Sequence, residues 1–126
     1  MYTPNEKEAS DIYSRIKGRV KDNYDLGLCW PRKEFIKWYV EKEIKKCCYC
    51  GCTEGQLGKF FKATDSKRYK TRGKSLEIER IADEKYTEDN CELACYWCNN
   101  AKSDVFSAEE FAPIGKAIGD VIKSYP

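Results

Sequence analysis

Two cysteine pairs share the spacing C-x-x-C and could bind one metal ion. Cys47 and Cys50 form the first pair, with Gly51 directly after them, and Cys95 and Cys98 form the second. Zinc takes four soft ligands in a tetrahedron, and two such pairs supply them with little strain. Gly51 permits the left-handed turn of a zinc knuckle. We therefore predict structural Zn²⁺ at these four cysteines, and we expect strong chelation to unfold the C-terminal half.

The chain has eight cysteines and no histidine, so histidine-dependent zinc sites and histidine-based catalytic triads are excluded. Cys48 and Cys52 crowd the first pair, and either could replace a predicted ligand. Cys29 and Cys91 are interpreted as buried thiols. A redox C-x-x-C is the alternative, but that motif sits at a helix start in a βαβ unit, and the sequence predicts no such unit. Since the N-terminus has no apolar secretion signal, we expect a reducing cytoplasmic location and metal ligands, not disulfides.

Charge is nearly balanced over the 126 residues, with 23 Lys and Arg against 21 Asp and Glu, a formal +2. This excludes a uniformly basic nucleic-acid-binding surface but permits a local basic patch. Between residues 59 and 74, one acid stands against seven basic residues: Lys59, Lys62, Lys67, Arg68, Lys70, Arg72 and Lys74. Phe60, Phe61 and Tyr69 are interleaved. A basic aromatic loop suits a phosphate backbone, and a solvated loop is the alternative.

A mean hydropathy of −0.75 and the absence of a long apolar run exclude a membrane span.

The elements that must position these residues follow an α+β order, ααββαα. An amphipathic first helix opens at the capping box Thr3-Pro4-Asn5-Glu6 and runs to Gly27, and a second runs from Pro31 to about Lys46. Alternation predicts a strand over 75–81, and 91–94 could pair with it. A short helix is expected from Cys95 to about Ser103. A final helix to about Ser124 follows the capping box at 107–110, with Pro113 in its first turn.

Residues 47–106 resemble the HNH endonuclease family, the ββα-metal nucleases with a treble-clef zinc site. The resemblance rests on C-x-x-C-G, the basic stretch, the run Leu76-Glu77-Ile78-Glu79-Arg80-Ile81, Asn90, Cys95-x-x-Cys98-Asn99 and Ala101-Lys102-Ser103-Asp104. It implies an HNH-like zinc core over 47–106. Residues 1–46 would be a helical N-terminal part and residues 107–126 a C-terminal helix. We expect all three in a single domain spanning 1–126.

The resemblance also implies a second metal site. Glu79 matches the acid that binds the catalytic Mg²⁺ or Mn²⁺, Asn90 the middle asparagine that fixes the loop, and Asn99 the second metal ligand. Lys102 lies one helical turn further on and could contact a phosphate, as could Lys67, Arg68, Lys70, Arg72 and Lys74. The residues alone favour a different role for Glu79, an exposed strand carboxylate paired with Arg80 or Lys74. Asn99 could be a helix cap.

Arg80 stands where the family has its general-base histidine. Arginine is effectively never deprotonated in proteins, so it is a poor base. It could instead clamp the scissile phosphate, as expected of a histidine-lacking branch of the family. The proton acceptor would then be Glu77, Glu84, Tyr86 or a phosphate oxygen, which the sequence does not rank.

The sequence is therefore compatible with three functions. The first is a metal-dependent endonuclease that hydrolyses phosphodiester bonds in double-stranded DNA. The second is an inactive HNH-like zinc domain that binds duplex DNA, and the third is a zinc-stabilised protein-interaction domain. A homodimer is compatible with the first, since a small HNH-like chain often needs two copies to cut both strands. The sequence leaves the DNA site and the physiological role open.

Overall fold

The computed structural model describes residues 1–21, 30–64, 73, 75–82 and 85–126. Its elements, in chain order, are α1 (Pro4–Lys21), α2 (Arg32–Val40), α3 (Glu54–Ala63), β1 (Leu76–Arg80), β2 (Cys91–Cys95), α4 (Tyr96–Lys102) and α5 (Ala108–Lys123). The strands β1 and β2 pair in a two-stranded sheet. This mixture confirms the predicted α+β class. The chain forms two compact units, residues 1–43 with 83–91 and residues 44–82 with 92–126.

The first unit is built on aromatic contacts between α1 and α2. Phe35 lies at their centre, with its ring centroid 5.6 Å from Tyr13 and 5.4 Å from Trp30. The Tyr13 hydroxyl donates to the Trp30 carbonyl over 2.7 Å, and the Trp30 N–H donates to the carbonyl of Tyr86. Thr3 and Glu6 form the predicted capping box at the start of α1. The predicted end of this helix at Gly27 lies outside the described residues.

The predicted extension of α2 to Lys46 is wrong, because the helix ends at Val40. Ile44, which the pattern placed on its apolar face, is 75% exposed. Lys46 instead forms a β-bridge with Thr53, and the N–H of Cys47 donates to the carbonyl of Cys52. The chain must be extended here to enter the turn that holds the first cysteine pair, and this requirement overrides helix propensity.

Helix α3 was not predicted, so the order is αααββαα and residues 54–63 are not a loop. Its start is marked by a capping box between Thr53 and Gln56. Leu57 is completely buried, and Phe60 packs edge-on against Trp97 with a centroid distance of 5.4 Å. Phe60 is therefore a packing residue, and the basic residues at 59 and 62 belong to a helix.

The second unit has a core made largely of cysteines and three apolar helix positions. Its buried members are Cys47, Cys50, Cys52, Leu57, Ala94, Cys95, Cys98, Phe111 and Ile122. Helix α5 approaches the first cysteine pair through Gly115 and Gly119. A Cβ at Gly115 would lie 2.9 Å from Cβ of Tyr49, and one at Gly119 would overlap the carbonyl oxygen of Cys50. Only glycine allows this close packing of the helix against the turn.

The predicted capping box at the start of α5 is confirmed between Ser107 and Glu110. The predicted position of Pro113, in the first turn of this helix, is wrong. The helix begins at Ala108, so Pro113 lies in its second turn and not in its first.

Candidate functional site: a cysteine cluster beside a buried acid

The four predicted cysteines come together in one buried cluster. The Sγ atoms of Cys47, Cys50, Cys95 and Cys98 all lie within 4.8 Å of one another, and Sγ of Cys50 is 3.7 Å from Sγ of Cys95. A tetrahedral zinc with Zn–S bonds of about 2.3 Å places its sulfurs about 3.8 Å apart. The cluster therefore fits a zinc ion. It is the only group of three or more histidine, cysteine or acidic side chains with metal-ligand spacing in the described part of the chain.

Local backbone geometry prepares both pairs for a metal. Gly51 adopts φ of +74°, the left-handed conformation predicted for the first turn. The N–H of Tyr49 donates to Sγ of Cys47, and the N–H of Cys98 donates to Sγ of Cys95, each over 3.4 Å. Hydrogen bonding among the cluster thiols lowers the pKa of Cys47 well below its usual range and raises the pKa of Cys95 and Cys98. The two backbone N–H donors favour the thiolate form that a metal requires.

The remaining described cysteines lie outside the cluster. Cys48 is exposed, whereas Cys52 and Cys91 are buried. Burial raises the pKa of Cys52 to about 12, so this thiol stays protonated at neutral pH. Cys91 is the buried thiol that the sequence predicted, and Cys29 lies outside the described residues.

A carboxylate at the end of β1 is buried beside the first cysteine pair. Glu79 is only 7% exposed, which overturns the alternative of a solvated strand residue. Its Oε2 accepts a hydrogen bond from the hydroxyl of Tyr49 over 3.2 Å. The same oxygen lies 3.9 Å from Nζ of Lys102, which is 5% exposed. An acid, a phenol and an ammonium group thus meet in the second unit.

Burial dominates the electrostatics of this group. It raises the pKa of Glu79 above its ordinary value, while the charge of Lys102 and the hydrogen bond from Tyr49 oppose that rise. Burial, reinforced by the Glu79 charge, raises the pKa of Tyr49 well above its usual range. Tyr49 therefore acts as a hydrogen-bond donor to Glu79 and is not a base at neutral pH.

Arg80 and Asn99 are the other predicted residues of this site in the second unit, and the backbone of Arg80 hydrogen-bonds the Glu79 carboxylate. Arg80 is exposed, as expected for the next residue of a strand. Asn99, at the centre of α4, donates from Nδ2 to Oε1 of Glu77 over 3.3 Å. In the described residues Asn99 is therefore paired with Glu77 and not directly with Glu79. Because Asn99 directly follows Cys98, its hydrogen bond to Glu77 connects the second cysteine pair to β1.

A comparison with solved structures gives one strong match to this architecture. The chain superposes on the rare-cutting HNH restriction endonuclease PacI, described for its mechanism of DNA perturbation, with a TM-score of 0.71. The sequences are 23% identical, and the match covers 96% of this chain and 89% of PacI. The fold is that of an HNH endonuclease. No protein-family model matches the sequence, and no protein of curated function matches it either.

In this HNH fold, two further predicted positions have clear placements. Asn90 lies in the first unit and is buried, and its Nδ2 donates to the carbonyl of Lys85 over 2.7 Å. This bond closes the turn before β2. Tyr86, one of the possible proton acceptors, is also buried in that unit. Glu84, another possible acceptor, lies outside the described residues.

Most of the predicted DNA-contacting residues are not among the described ones. Lys67, Arg68, Lys70, Arg72 and Lys74 all fall outside them, so their contacts with DNA stay a prediction. Lys102 faces Glu79 and is not presented to solvent. None of the helices in the described part of the HNH fold is long and apolar enough to cross a membrane.

Tyr49 is the site residue that the sequence analysis missed. It sits between the two cysteines of the first pair, where its ring packs edge-on against Phe111 at 5.3 Å. Lys102 was expected at a phosphate, and its burial was not foreseen. The available signal was weak: an aromatic residue inside a C-x-x-C turn, and a lysine in the last turn of a helix that follows it.

Proposed function

We propose that the protein is a divalent-metal-dependent endonuclease that hydrolyses phosphodiester bonds in double-stranded DNA. The buried Glu79 carboxylate carries the proposal, because it lies beside a zinc-compatible cysteine cluster in an HNH endonuclease fold. Burying a carboxylate costs free energy, and buried acids with specific hydrogen-bond and charge partners are common at functional sites. Structural Zn²⁺ would be bound by the four cysteines and would hold α4 and the first knuckle together.

Glu79 is the acidic residue that would bind a catalytic Mg²⁺ or Mn²⁺, with the amide oxygen of Asn99 as a second ligand. Both groups offer the oxygen donors that these cations prefer. Such a cation supplies charge stabilisation for the phosphate and lowers the pKa of a bound water. The chain supplies the rest: Tyr49 orients Glu79, and Glu77 orients the amide of Asn99.

Arg80 takes the place of a histidine base, and its exposure suits a phosphate contact. A guanidinium group binds phosphate through two parallel hydrogen bonds, which would fix the scissile group. Proton transfer would then fall to Glu77 or a phosphate oxygen. The basic residues Lys67, Arg68, Lys70, Arg72 and Lys74 would bind the backbone on either side.

Nicking of a supercoiled plasmid tests the proposal. Wild-type protein with Mg²⁺ or Mn²⁺ is expected to nick, and Glu79→Gln is expected to lower the rate on the order of 100-fold. Glu109→Gln makes the same charge change on the exposed side of α5 and should leave the rate unaltered. Cleavage that survives both Glu79→Gln and Asn99→Ala would exclude this metal site as the centre of the reaction.

A second function, binding duplex DNA without cleavage, is favoured by one structural observation: Glu79 is already paired with the ammonium group of Lys102. The replacement of the histidine base by Arg80 is consistent with it. Under this function no nicking is seen, but affinity for duplex DNA falls steeply with salt. Neutralising Lys67, Arg68 and Lys70 would then reduce both the affinity and its salt slope. If DNA binding is absent even at low salt, a protein-interaction domain is the better description.

The proposed nuclease would act as a homodimer, because one HNH-type site cuts one strand at a time. We propose that it acts in the cytoplasm. Sedimentation of the protein with and without a short duplex tests this assembly. A monomer that nicks one strand would retain the chemistry and exclude the dimer.

A further inference from the structure

Lys102 is a cation that the fold already holds at the proposed metal site. Its side chain is buried at the C-terminal end of α4, with Nζ 3.9 Å from Oε2 of Glu79. Nζ also lies 5.9 Å from the ring centroid of Tyr49, over its face. Since both neighbours attract a positive charge, the ammonium group is held at the carboxylate even though little solvent reaches it.

The distance between Nζ of Lys102 and Oε2 of Glu79 matters as much as the charge of Lys102. A separation of 3.9 Å is an ion pair but is longer than an N–H···O hydrogen bond. The carboxylate receives a side-chain hydrogen bond from Tyr49 and a backbone hydrogen bond from Arg80, whereas Lys102 contributes only a through-space interaction. Glu79 is compensated without having all of its lone pairs occupied, so its oxygens remain available to a second cation.

We infer that Lys102 is the resident counter-cation of Glu79 and weakens the binding of divalent cations there. This inference rests on the proposed metal-binding role of Glu79. A divalent ion bound to Glu79 and the ammonium group of Lys102 repel each other across a poorly solvated site. Lys102 thus stabilises the metal-free state and makes occupancy depend on additional negative charge, such as a phosphate of bound DNA.

Titration of the zinc-loaded protein with Mn²⁺, without DNA and at slightly alkaline pH, tests the inference without measuring activity. Lys102→Met removes the charge and keeps most of the side-chain volume. It is expected to tighten the Glu79-dependent binding of Mn²⁺ by at least about tenfold, because the repulsion is removed. Lys116→Met, which removes an exposed lysine charge from α5, should leave the affinity unchanged. Lys102→Arg keeps the charge and should bind Mn²⁺ as the wild type does.

Glu79→Gln identifies which part of the Mn²⁺ signal belongs to this site. If Glu79-dependent binding exists but Lys102→Met leaves it unchanged or weaker, the role of Lys102 is wrong and the proposed metal site stands. If no Mn²⁺ binding depends on Glu79 in any variant, both are wrong. Should Lys102→Met fail to fold, Lys102→Gln carries the same expectation.

Thermal unfolding in metal-free buffer (zinc retained) gives an independent measurement. Lys102→Met should lower the Tm, because it leaves a buried carboxylate without its counter-charge. Adding Glu79→Gln to Lys102→Met should recover part of that loss. Two losses that simply add would show that the residues are not coupled and would overturn the counter-cation role.

Discussion

The hydroxyl of Tyr49 donates a hydrogen bond to Oε2 of Glu79 over 3.2 Å, across 30 positions of sequence. Tyr49 lies between the cluster cysteines Cys47 and Cys50, so the same short turn serves two purposes. Its sulfurs face the cluster, while its phenol fixes the acid at the end of β1. The turn that holds the first cysteine pair and the candidate catalytic carboxylate are therefore joined by one side chain.

Tyr49→Phe removes this hydrogen bond with little change in volume. We expect a loss of about 2 kcal/mol in the free energy of unfolding, because a buried carboxylate loses a donor. Urea denaturation measures it. Tyr2→Phe, at a residue that is 51% exposed, is the matched control and should change stability little. Equal effects of the two substitutions would mean that the Tyr49 bond contributes nothing.

Zinc content should depend on the cluster cysteines and not on their neighbours. Cys98→Ser is expected to abolish stoichiometric zinc binding and to unfold much of the second unit, since structural zinc contributes on the order of 10 kcal/mol of apparent binding energy in small domains. Cys48→Ser, at an exposed position outside the cluster, should retain zinc. Elemental analysis of the purified variants, with circular dichroism before and after chelation, distinguishes them. Zinc retained by Cys98→Ser but lost by Cys48→Ser would reassign the ligands.

Gly119→Ala should be strongly destabilising although alanine is the better helix former. Its Cβ would overlap the carbonyl oxygen of Cys50, so α5 must move away from the knuckle. We expect a loss of about 2 kcal/mol or more. Gly58→Ala in α3 is the control: its Cβ would have nothing within 4 Å, and the substitution should stabilise the protein by about 0.5–1 kcal/mol. Thermal melts of both variants measure the contrast, and equal shifts would exclude the close packing of α5.

The capping box of α5 should produce a defined pH dependence. A backbone hydrogen bond from Ser107, followed by one involving its hydroxyl, lowers the pKa of Glu110 from 4.5. A lowered carboxyl pKa stabilises the fold above the unfolded value and loses that effect as pH falls through the folded value. Glu110→Ala should therefore lower the Tm at neutral pH, with a difference that shrinks below pH 4.5.

Glu109→Ala is the control, since Glu109 makes no capping hydrogen bond in the described structure. Its effect on the Tm should be smaller at neutral pH. A Glu110 carbon-13 titration that follows the unfolded value would contradict the capping interaction directly.

The local features of this protein could be read from its sequence. The two C-x-x-C pairs, the capping boxes at Thr3 and Ser107 and the alternation before Arg80 each depend on residues a few positions apart. These features predicted the cysteine cluster, the start of two helices and β1. The resemblance of residues 47–106 to HNH nucleases added the fold, which the match to PacI confirms.

The missed features depend on long-range packing. Gly55 and Gly58 lower the helix propensity of 54–63, yet Leu57 and the capping box at Thr53 hold α3 in place. The burial of Glu79 and its pairing with Lys102 arise only when α4 packs on β1. No local pattern distinguishes such a carboxylate from a solvated one, so its environment required the structure.

The cysteine cluster also determines how much sequence change the chain can accept. A zinc ion held there would act as a cross-link between Cys50 and Cys95, which are 45 positions apart, and would close the intervening chain into a loop. Trp97, two residues beyond Cys95, donates from its indole to the carbonyl of Gly73 inside that loop over 3.1 Å, so the chain is held again just before β1. Each doubling of a closed loop's length costs only about 0.6 kcal/mol of entropy. Lengthening the chain between residues 64 and 73 should therefore cost little closure entropy, while the cluster and the Gly73 contact keep the start of β1 in place.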